Sequence, residues 1–479
     1  MPAGIDKVCK SVLRRVTPTK QERSSIEALA RKLEKRVASA AKAAKIKAKV
    51  RIEGSVAKDT WLSGEPDIDI FMRVATSTPR KSLGDICLIV ARKATEGSKQ
   101  VERFAEHPYL EAFVEGTRVN IVPCYDAEPS HWQSATDRTP YHSDYIKKQM
   151  SPRMRSEVRL LKKFMKGIGV YGAEIKTGGF SGYLCELLVL HYGSFVKTLE
   201  SLAQRRQRIV VDMERHYGNR EHEIGLLFKE PLVIIDPVDR GRNVASAVKA
   251  RIFDTFVAAA QAFLRAPDLK FFYPPATAPL SLREVEVRLV ERGSTILFVT
   301  FNAMKTVPDV LWGQLYKSQR SLRKLVQLND FKLLRDTAWS NEKDLNMFIF
   351  EFEQQTISPV KKHLGPPLDK ENECQKFLKK HSGKSRTVCG PYVEDGRWIV
   401  IIKREFSDAA QLLRSRLKNG GRNAGVAEQF SHVLSKGFAI LVNEEILKIY
   451  KEDREFAMFL TTFLNGRPKW LEAHQRQND

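Results

Sequence analysis

Two aspartates separated by one residue are the clearest candidates for metal chemistry in this chain. Asp67 and Asp69 stand in "PDIDIFMRV", where they alternate with apolar residues. Successive side chains of a strand point to opposite faces, so this pattern places both carboxylates on one face, about 7 Å apart. Oxygen ligands suit Mg²⁺, and two such ions roughly 4 Å apart can activate a hydroxyl and stabilise a leaving pyrophosphate. The alternative is that an edge strand presents these acids to water.

The residues before the aspartates predict the elements that position them. Thr19 and Glu22 form a T-x-x-E capping box, and apolar residues then recur at helical spacing, which predicts an amphipathic helix. Residues 46–52 alternate between apolar and charged, which predicts a half-buried strand. The strand runs into Gly54 and Ser55, where a glycine permits a sharp turn and close approach of a ligand. A Gly-Ser pair alone is more often a plain turn, but this order of elements favours a phosphate site.

The charge of the chain favours a polyanionic partner. Lys and Arg number 80 against 57 Asp and Glu, which gives a formal charge of +23 and a pI near 9.7. Nucleic acid is the leading candidate, and a merely basic, solvated surface is the alternative. A membrane role is disfavoured because no run of 18 apolar residues exists. The first residues lack the apolar stretch of a signal peptide, so we expect a cytoplasmic protein.

The six cysteines predict neither a disulfide framework nor a zinc site. None of them forms a Cys-x-x-Cys pair. We therefore expect reduced, mostly buried thiols.

The order of motifs resembles the nucleotidyltransferase superfamily that includes DNA polymerase beta, poly(A) polymerases and CCA-adding enzymes. Within it, "GSVAKDTWLSGEPDIDIF" is similar to the archaeal, class I CCA-adding enzymes, and "HPYLEAFVEGTRVNIVPCYDAEP", "SATDRTPYH" and "DPVDRGRNVA" follow in that family's order. The likeness is close over residues 20–250 and looser toward the C-terminus. It implies template-independent addition of C, C and A to tRNA 3′ ends from CTP and ATP, with Mg²⁺ as cofactor and pyrophosphate as the leaving group.

The resemblance also implies a role for individual positions. Gly54, Ser55 and Lys58 hold the triphosphate; Asp67 and Asp69 bind Mg²⁺; Thr139, His142, Lys162 and Tyr171 surround the triphosphate and sugar; and Arg242 reads the Watson-Crick edge of C or A together with the RNA. These roles suit the residue types, because a helical lysine can lean over a phosphate and an arginine fork can meet acceptors on a base. Taken singly, each position also has an ordinary structural explanation, such as an exposed lysine or a loop arginine.

Asn120 departs from the family pattern. The family has a third catalytic carboxylate in the strand that ends V-P-C-Y, and "TRVNIVPCY" has Asn120 at that position. The pattern predicts a hairpin around residues 115–117 with Val119 and Ile121 on the opposite face from Asn120, so we expect this side chain to point at Asp67 and Asp69. An asparagine carbonyl can ligate Mg²⁺ but supplies no charge and accepts no proton. Three explanations for Asn120 are open. The lineage tolerates asparagine at this position, the substitution is engineered, or the protein binds RNA without catalysis.

The chain is expected to fold as a multidomain α+β protein. Residues 1–150 form a polymerase-beta-like catalytic head with a mixed sheet and helices, and residues 151–266 a mostly helical domain that completes the nucleotide pocket. Residues 267–479 form an α+β region with antiparallel sheet, in one or two lobes. Strands are predicted at "STILFVTFN", "NMFIFEFEQ" and "RWIVIIKREF".

The C-terminal region is expected to bind RNA. Three basic clusters, "KSQRSLRK", "KFLKKHSGKSR" and "LRSRLKNGGR", suit phosphate contacts along an RNA helix. The family resemblance assigns the acceptor and TΨC arms of tRNA to this region, and it implies a homodimer through it. Two rival functions stay open: a poly(A) or oligoadenylate synthetase of the same superfamily, and a non-catalytic tRNA-binding or quality-control protein.

Overall fold

The structure is a computed structural model that describes residues 3–104, 106–204, 208–304, 306–383 and 385–472. The chain divides into two units, one formed by residues 1–276 together with 467–479 and the other by residues 277–466.

The first unit holds ten helices and eight strands among its described residues. The helices are α1 (Ala3–Val16), α2 (Lys20–Ala43), α3 (Gly54–Lys58), α4 (Arg80–Ala94), α5 (Thr139–Gln149), α6 (Pro152–Gly167), α7 (Gly182–Tyr192), α8 (Phe195–Ala203), α9 (Glu221–Leu227) and α10 (Ala250–Arg265). The strands are β1 (Ala48–Glu53), β2 (Asp67–Val74), β3 (Lys99–Phe104), β4 (Pro108–Val114), β5 (Thr117–Tyr125), β6 (Ile209–Val211), β7 (Leu232–Asp236) and β8 (Asp239–Asn243).

A five-stranded mixed sheet in the order β1-β2-β5-β4-β3 forms the N-terminal part of this unit. β2 and β5 are parallel and the other neighbours are antiparallel. The apolar residues of β2 and β5 pack against α2 and α4 in one core, so the alternating polar residues point away from it. The predicted capping box of Thr19 and Glu22 is present at the start of α2. The predicted strand at residues 46–52 starts at Ala48 and ends at Glu53.

Helices and a small sheet form the rest of the unit. α1, α6, α7, α8 and α10 share one core, in which the ring of Phe164 lies 5.6 Å from those of Phe195 and Phe263. The sheet has the order β6-β7-β8, with β6 and β7 parallel and β7 and β8 antiparallel. The helical character of this region is as predicted, whereas the sequence did not predict the small sheet.

The second unit is α+β. Its helices are α11 (Leu282–Glu291), α12 (Pro308–Leu328), α13 (Glu371–His381), α14 (Ala409–Leu417), α15 (Glu428–Lys436), α16 (Leu447–Glu452) and α17 (Arg454–Asn465). Its strands are β9 (Thr295–Asn302), β10 (Leu333–Ser340), β11 (Leu345–Phe352), β12 (Val360–Pro367), β13 (Thr387–Glu394), β14 (Arg397–Lys403) and β15 (Ala439–Val442). The three strands predicted from the sequence correspond to β9, β11 and β14.

Two antiparallel sheets organise this second unit. One has the order β10-β11-β9-β15 and the other β12-β14-β13. The predicted fold class, α+β with a mixed-sheet head and antiparallel C-terminal sheet, is therefore confirmed. In the described residues no helix is both long and apolar enough to cross a membrane.

Candidate active site

Asp67, Asp69 and Asn120 lie together on one face of the mixed sheet. β2 and β5 pair in a register that sets Asp69 directly beside Asn120. The side-chain amide of Asn120 donates a hydrogen bond of 2.9 Å from Nδ2 to Oδ1 of Asp69. The amide of Asn120 thus orients the carboxylate of Asp69.

Gly54 packs directly against Asp69. Gly54 has φ +70°, and a Cβ atom at this position would lie 2.0 Å from Oδ2 of Asp69. Only glycine fits, both because of its backbone conformation and because the carboxylate occupies the side-chain space. Ser55 follows in the first turn of α3 and is half-buried. Gly54 therefore lies against the second aspartate, and Ser55 is the next residue of the same turn.

Burial raises the pKa of Asp69 to about 6; the hydrogen bond from Asn120 opposes this change and the nearby Asp67 adds to it. The ionised form of Asp69 is therefore less favourable here than in water, and a bound cation would stabilise it.

The donor set fits a hard cation that arrives with its substrate. Within the described residues no group of three His, Cys, Asp or Glu side chains could hold a metal ion. Two carboxylates and an amide carbonyl are oxygen donors, and Mg²⁺ commonly takes only one or two protein carboxylates together with water and substrate phosphates. Asp67, Asp69 and the carbonyl oxygen of Asn120 could hold the ion in that way.

Arg118 is a residue of this site that sequence reasoning missed. Its Nε donates to Oδ1 of Asp67 at 2.7 Å, and its Nη2 contacts Oδ2 of the same carboxylate. The strand alternation could have found it, because Arg118 stands two residues before Asn120 in β5 and so shares its face.

Lys58 and Lys162 meet at a buried glutamate that sequence reasoning also missed. Nζ of Lys58 lies 2.5 Å from Oε2 of Glu186, and Nζ of Lys162 lies 3.5 Å from Oε1. Thr60 donates to the same carboxylate at 2.5 Å. Burial lowers the pKa of Lys162, while Glu186 opposes this change. A single acid in the apolar helix "GYLCELLVLHY" was the available signal, since a buried carboxylate requires partners.

Tyr171 and Lys162 converge at the start of α7. A Cβ atom on Gly182 would lie 3.0 Å from Oη of Tyr171 and 3.5 Å from Nζ of Lys162. Tyr171 follows α6 and forms a β-bridge with Phe180 just before α7. The two predicted residues are thus near each other; Tyr171 is half-buried, and Lys162 is buried rather than exposed on its helix.

His142 and Arg242 are joined by Asp236, a third residue that the sequence did not reveal. Nε2 of His142 lies 2.8 Å from Oδ2 of Asp236, and Arg242 donates to the same oxygen at 2.7 Å. The ring of Tyr183 stacks on His142 at 4.0 Å. Burial alone would raise the pKa of Asp236, but His142 and Arg242 keep it below its ordinary value. Thr139 begins α5 one turn before His142 and is half-buried.

Family models match three successive parts of the chain. Residues 30–142 match the nucleotidyltransferase domain, residues 156–273 the second domain of tRNA nucleotidyltransferase, and residues 292–443 the C-terminal domain of CCA-adding enzyme.

Curated relatives align along nearly the whole chain. The CCA-adding enzyme of Methanosarcina barkeri is 38% identical over 95% of this chain and 97% of its own length. The CCA-adding enzyme of Pyrobaculum neutrophilum is 36% identical over 87% of this chain and 94% of its own length. A solved cytoplasmic RNA terminal U-transferase aligns with 55% of this chain and 94% of its own, with 15% identity and a TM-score of 0.42. Enzymes of the nucleotidyltransferase superfamily generally use divalent metals. The chain belongs to the family of CCA-adding enzymes, the archaeal tRNA nucleotidyltransferases that its motifs resemble.

Proposed function

We propose that this protein adds C, C and A to the 3′ ends of tRNA without a template, using CTP and ATP and releasing pyrophosphate. The observation that carries the proposal is the position of Asp69 on β2, against Gly54 and beside Asn120 of the parallel strand, with Asp67 two residues earlier on the same face. Relatives of that name along nearly the whole chain support it. A non-catalytic role is not favoured for the same reason.

The proposed reaction joins the 3′-hydroxyl oxygen of tRNA to the α-phosphorus of the nucleotide, and the bond from that phosphorus to the bridging oxygen breaks. Mg²⁺ bound to Asp67 and Asp69, with the carbonyl of Asn120, would activate the hydroxyl and stabilise the leaving pyrophosphate. Gly54 and Ser55 offer the triphosphate a close approach to the backbone. Asn120 orients Asp69 but accepts no proton, so solvent or a phosphate oxygen takes the proton of the hydroxyl.

The remaining predicted side chains of the site would position the nucleotide. Lys58, Lys162 and Tyr171 would act on the triphosphate and sugar, with Thr139 and His142 beside them. The contact between Arg242 and Asp236 fixes one edge of the guanidinium, and the side chain of Arg242 keeps 39% of its surface exposed. The free part of this planar fork is available to meet acceptors on a cytosine or adenine edge.

The proposal includes several finer points that rest on the family resemblance and on the composition. The hard oxygen donors favour Mg²⁺ among the divalent metals. The excess of 80 Lys and Arg over 57 acids supports tRNA as the partner. A cytoplasmic location and a homodimer through the C-terminal region complete it.

Incorporation of labelled CTP and ATP into a tRNA that lacks its terminal triplet tests the function. We expect growth by three nucleotides in the order C, C, A, and then arrest. Long tracts of A without use of CTP would instead identify a poly(A) synthetase. Binding of tRNA with no incorporation, even in Mn²⁺, would identify a non-catalytic protein.

Asn120→Asp is expected to raise turnover and lower the Mg²⁺ requirement, each by roughly tenfold, because it adds a charged ligand beside Asp69. Incorporation measured across a Mg²⁺ titration checks this. The exposed Asn219 offers a matched control, since Asn219→Asp adds the same charge elsewhere. Unchanged kinetics for Asn120→Asp would show that position 120 is not a metal ligand.

A basic cavity in the second unit is the proposed place of tRNA phosphate contacts. This cavity of about 540 Å³ is lined by the end of α13, by strands β12, β13 and β14, by the turn after α12 and by the segment that follows β14. Asp330 pairs with two of its cations, Lys361 and Arg404. Lys380, Arg386 and Lys403 also line it, and the described part of the chain gives none of them an acidic partner.

The double variant Arg386→Gln/Lys403→Gln is expected to weaken tRNA binding. The negative slope of log affinity against log salt should become shallower by about two, one for each lost phosphate contact. Filter binding over a salt series measures both. Lys332 and Lys343 already pair with Glu353 and Glu455, so the variant Lys332→Gln/Lys343→Gln is the matched control. An unaltered salt slope in the first variant would remove the cavity from the RNA-binding surface.

A further inference from the structure

A buried glutamate continues the row of polar residues that begins with Asp69 and Asn120. β4 pairs with β5 so that Glu111 stands directly beside Asn120, on the side away from Asp69. Directly paired residues of neighbouring strands share a face of the sheet. Glu111 is only 6% exposed, and Arg103 holds it with a hydrogen bond of 2.8 Å from Nη2 to Oε1. A carboxylate, that of Glu111, is therefore present on this face of the sheet one strand beyond Asn120.

Arg118 stands between this glutamate and the first aspartate. Its Nε and Nη2 face the two oxygens of Asp67, while its Nη1 lies 3.8 Å from Oε2 of Glu111. One guanidinium thus contacts a proposed metal ligand and approaches a carboxylate that is not one. The side chain of Arg118 is 46% exposed, whereas that of Glu111 is 7% exposed. The arginine has room to move and the glutamate does not.

The charges around the aspartates determine where the Arg118 guanidinium can lie when a cation binds. Without a cation, Asp67 and Asp69 are neighbouring negative charges, and Arg118 compensates the first of them. A divalent ion that uses the oxygens of Asp67 must compete with a paired guanidinium for them. The displaced guanidinium would remain near the bound cation unless another acid takes it, and Glu111 is the acid within reach.

We propose that Arg118 is the internal counterion of the metal site, and that it passes from Asp67 to Glu111 when a divalent cation binds. Arg118 and Glu111 are then positioning residues: the first holds the empty site together, and the second receives the displaced charge. The inference rests on the proposed function only in taking Asp67 as a ligand of the divalent ion.

Binding of Mn²⁺ alone to the full chain, followed by the electron paramagnetic resonance signal of free Mn²⁺, tests the proposal. Arg118→Gln removes the competitor and is expected to raise the Mn²⁺ affinity about tenfold. Glu111→Gln removes the receiving acid and is expected to lower it about fivefold. The double variant is expected to match Arg118→Gln within about twofold, because no guanidinium then has to move.

The double variant also identifies a direct role of Glu111. An equal loss of Mn²⁺ affinity on Glu111→Gln with and without Arg118 would show that the glutamate acts on the cation itself, and would overturn the proposal. So would a lower or unchanged affinity in Arg118→Gln, or an absence of Mn²⁺ binding to the unaltered protein. Arg92 and Glu102 form an exposed pair elsewhere in the first unit, so Arg92→Gln and Glu102→Gln serve as controls.

Nucleotide incorporation is measured on the same preparations as an independent readout. Mn²⁺ affinities that follow the expected order in a protein that adds no nucleotides would contradict the proposed function and leave the counterion role standing. Normal CCA addition together with equal Mn²⁺ affinities in all four forms would contradict the counterion role and leave the proposed function standing.

Discussion

Replacing Asp69 with asparagine is expected to lower nucleotide incorporation by at least about 10³-fold without lowering the melting temperature. The proposed function makes Asp69 a metal ligand, and loss of such a ligand removes several kcal/mol of charge stabilisation in the transition state; each 1.36 kcal/mol is a factor of ten. The stability of the fold does not depend on the charge of this carboxylate. Its folded-state pKa of about 6 lies above the ordinary value of 3.8, so its ionised form is less favourable in the folded than in the unfolded protein at neutral pH. An amide removes that penalty.

The Asp69→Asn variant would also keep the contact with Asn120, whose Nδ2 can donate to the new amide oxygen as it does to Oδ1 of the aspartate. Incorporation assays and thermal unfolding of the same preparation measure the two effects separately. Asp85→Asn makes the same chemical change at an exposed position of α4 and should alter neither. A fall in melting temperature that parallels the loss of activity would assign Asp69 a structural role instead.

The sequence predicted the parts of the site that depend on local patterns. Alternation in "PDIDIFMRV" placed Asp67 and Asp69 on one face, and alternation in "TRVNIVPCY" placed Asn120 on the face opposite Val119 and Ile121. Both inferences concern residues whose neighbours follow from strand geometry. Local patterning also predicted α2 through its capping box.

The residues that the sequence missed are those whose partners lie far along the chain. Glu186 is 128 positions from Lys58, and Asp236 is 94 positions from His142. No period within a helix or a strand encodes such a contact, so Lys58 and Lys162 could be assigned to the triphosphate but not to a shared buried acid. The sheet of β6, β7 and β8 was missed for a different reason. Its strands have only three to five residues, and a short apolar run such as "LVIID" suits a buried helix segment equally well.

Glu186 is expected to be essential to the stability of the first unit. Its carboxylate is fully buried and lies between the ammonium groups of Lys58 and Lys162, which are 8% and 3% exposed. Removing one partner of a buried ionic cluster leaves uncompensated charge and typically costs about 3–5 kcal/mol. Glu186→Gln keeps the shape and removes the charge, so we expect it to lower the melting temperature of this unit by roughly 10 °C. Thermal unfolding followed by circular dichroism measures the change.

A second substitution separates the lost charge from lost packing. In Glu186→Gln/Lys162→Met, one of the two stranded ammonium groups is replaced by an apolar side chain of similar length, so part of the melting temperature should return. Lys162→Met alone should be destabilising, because Glu186 then keeps a single lysine partner. If the fall in melting temperature of the double variant equalled the sum of the falls in the two single variants, the three groups would not be coupled. The stability of α7 would then have to come from its apolar contacts alone. Recovery in the double variant would instead show that Glu186 and the two lysines are energetically coupled, and that Glu186 helps to fix both lysine side chains in the folded protein.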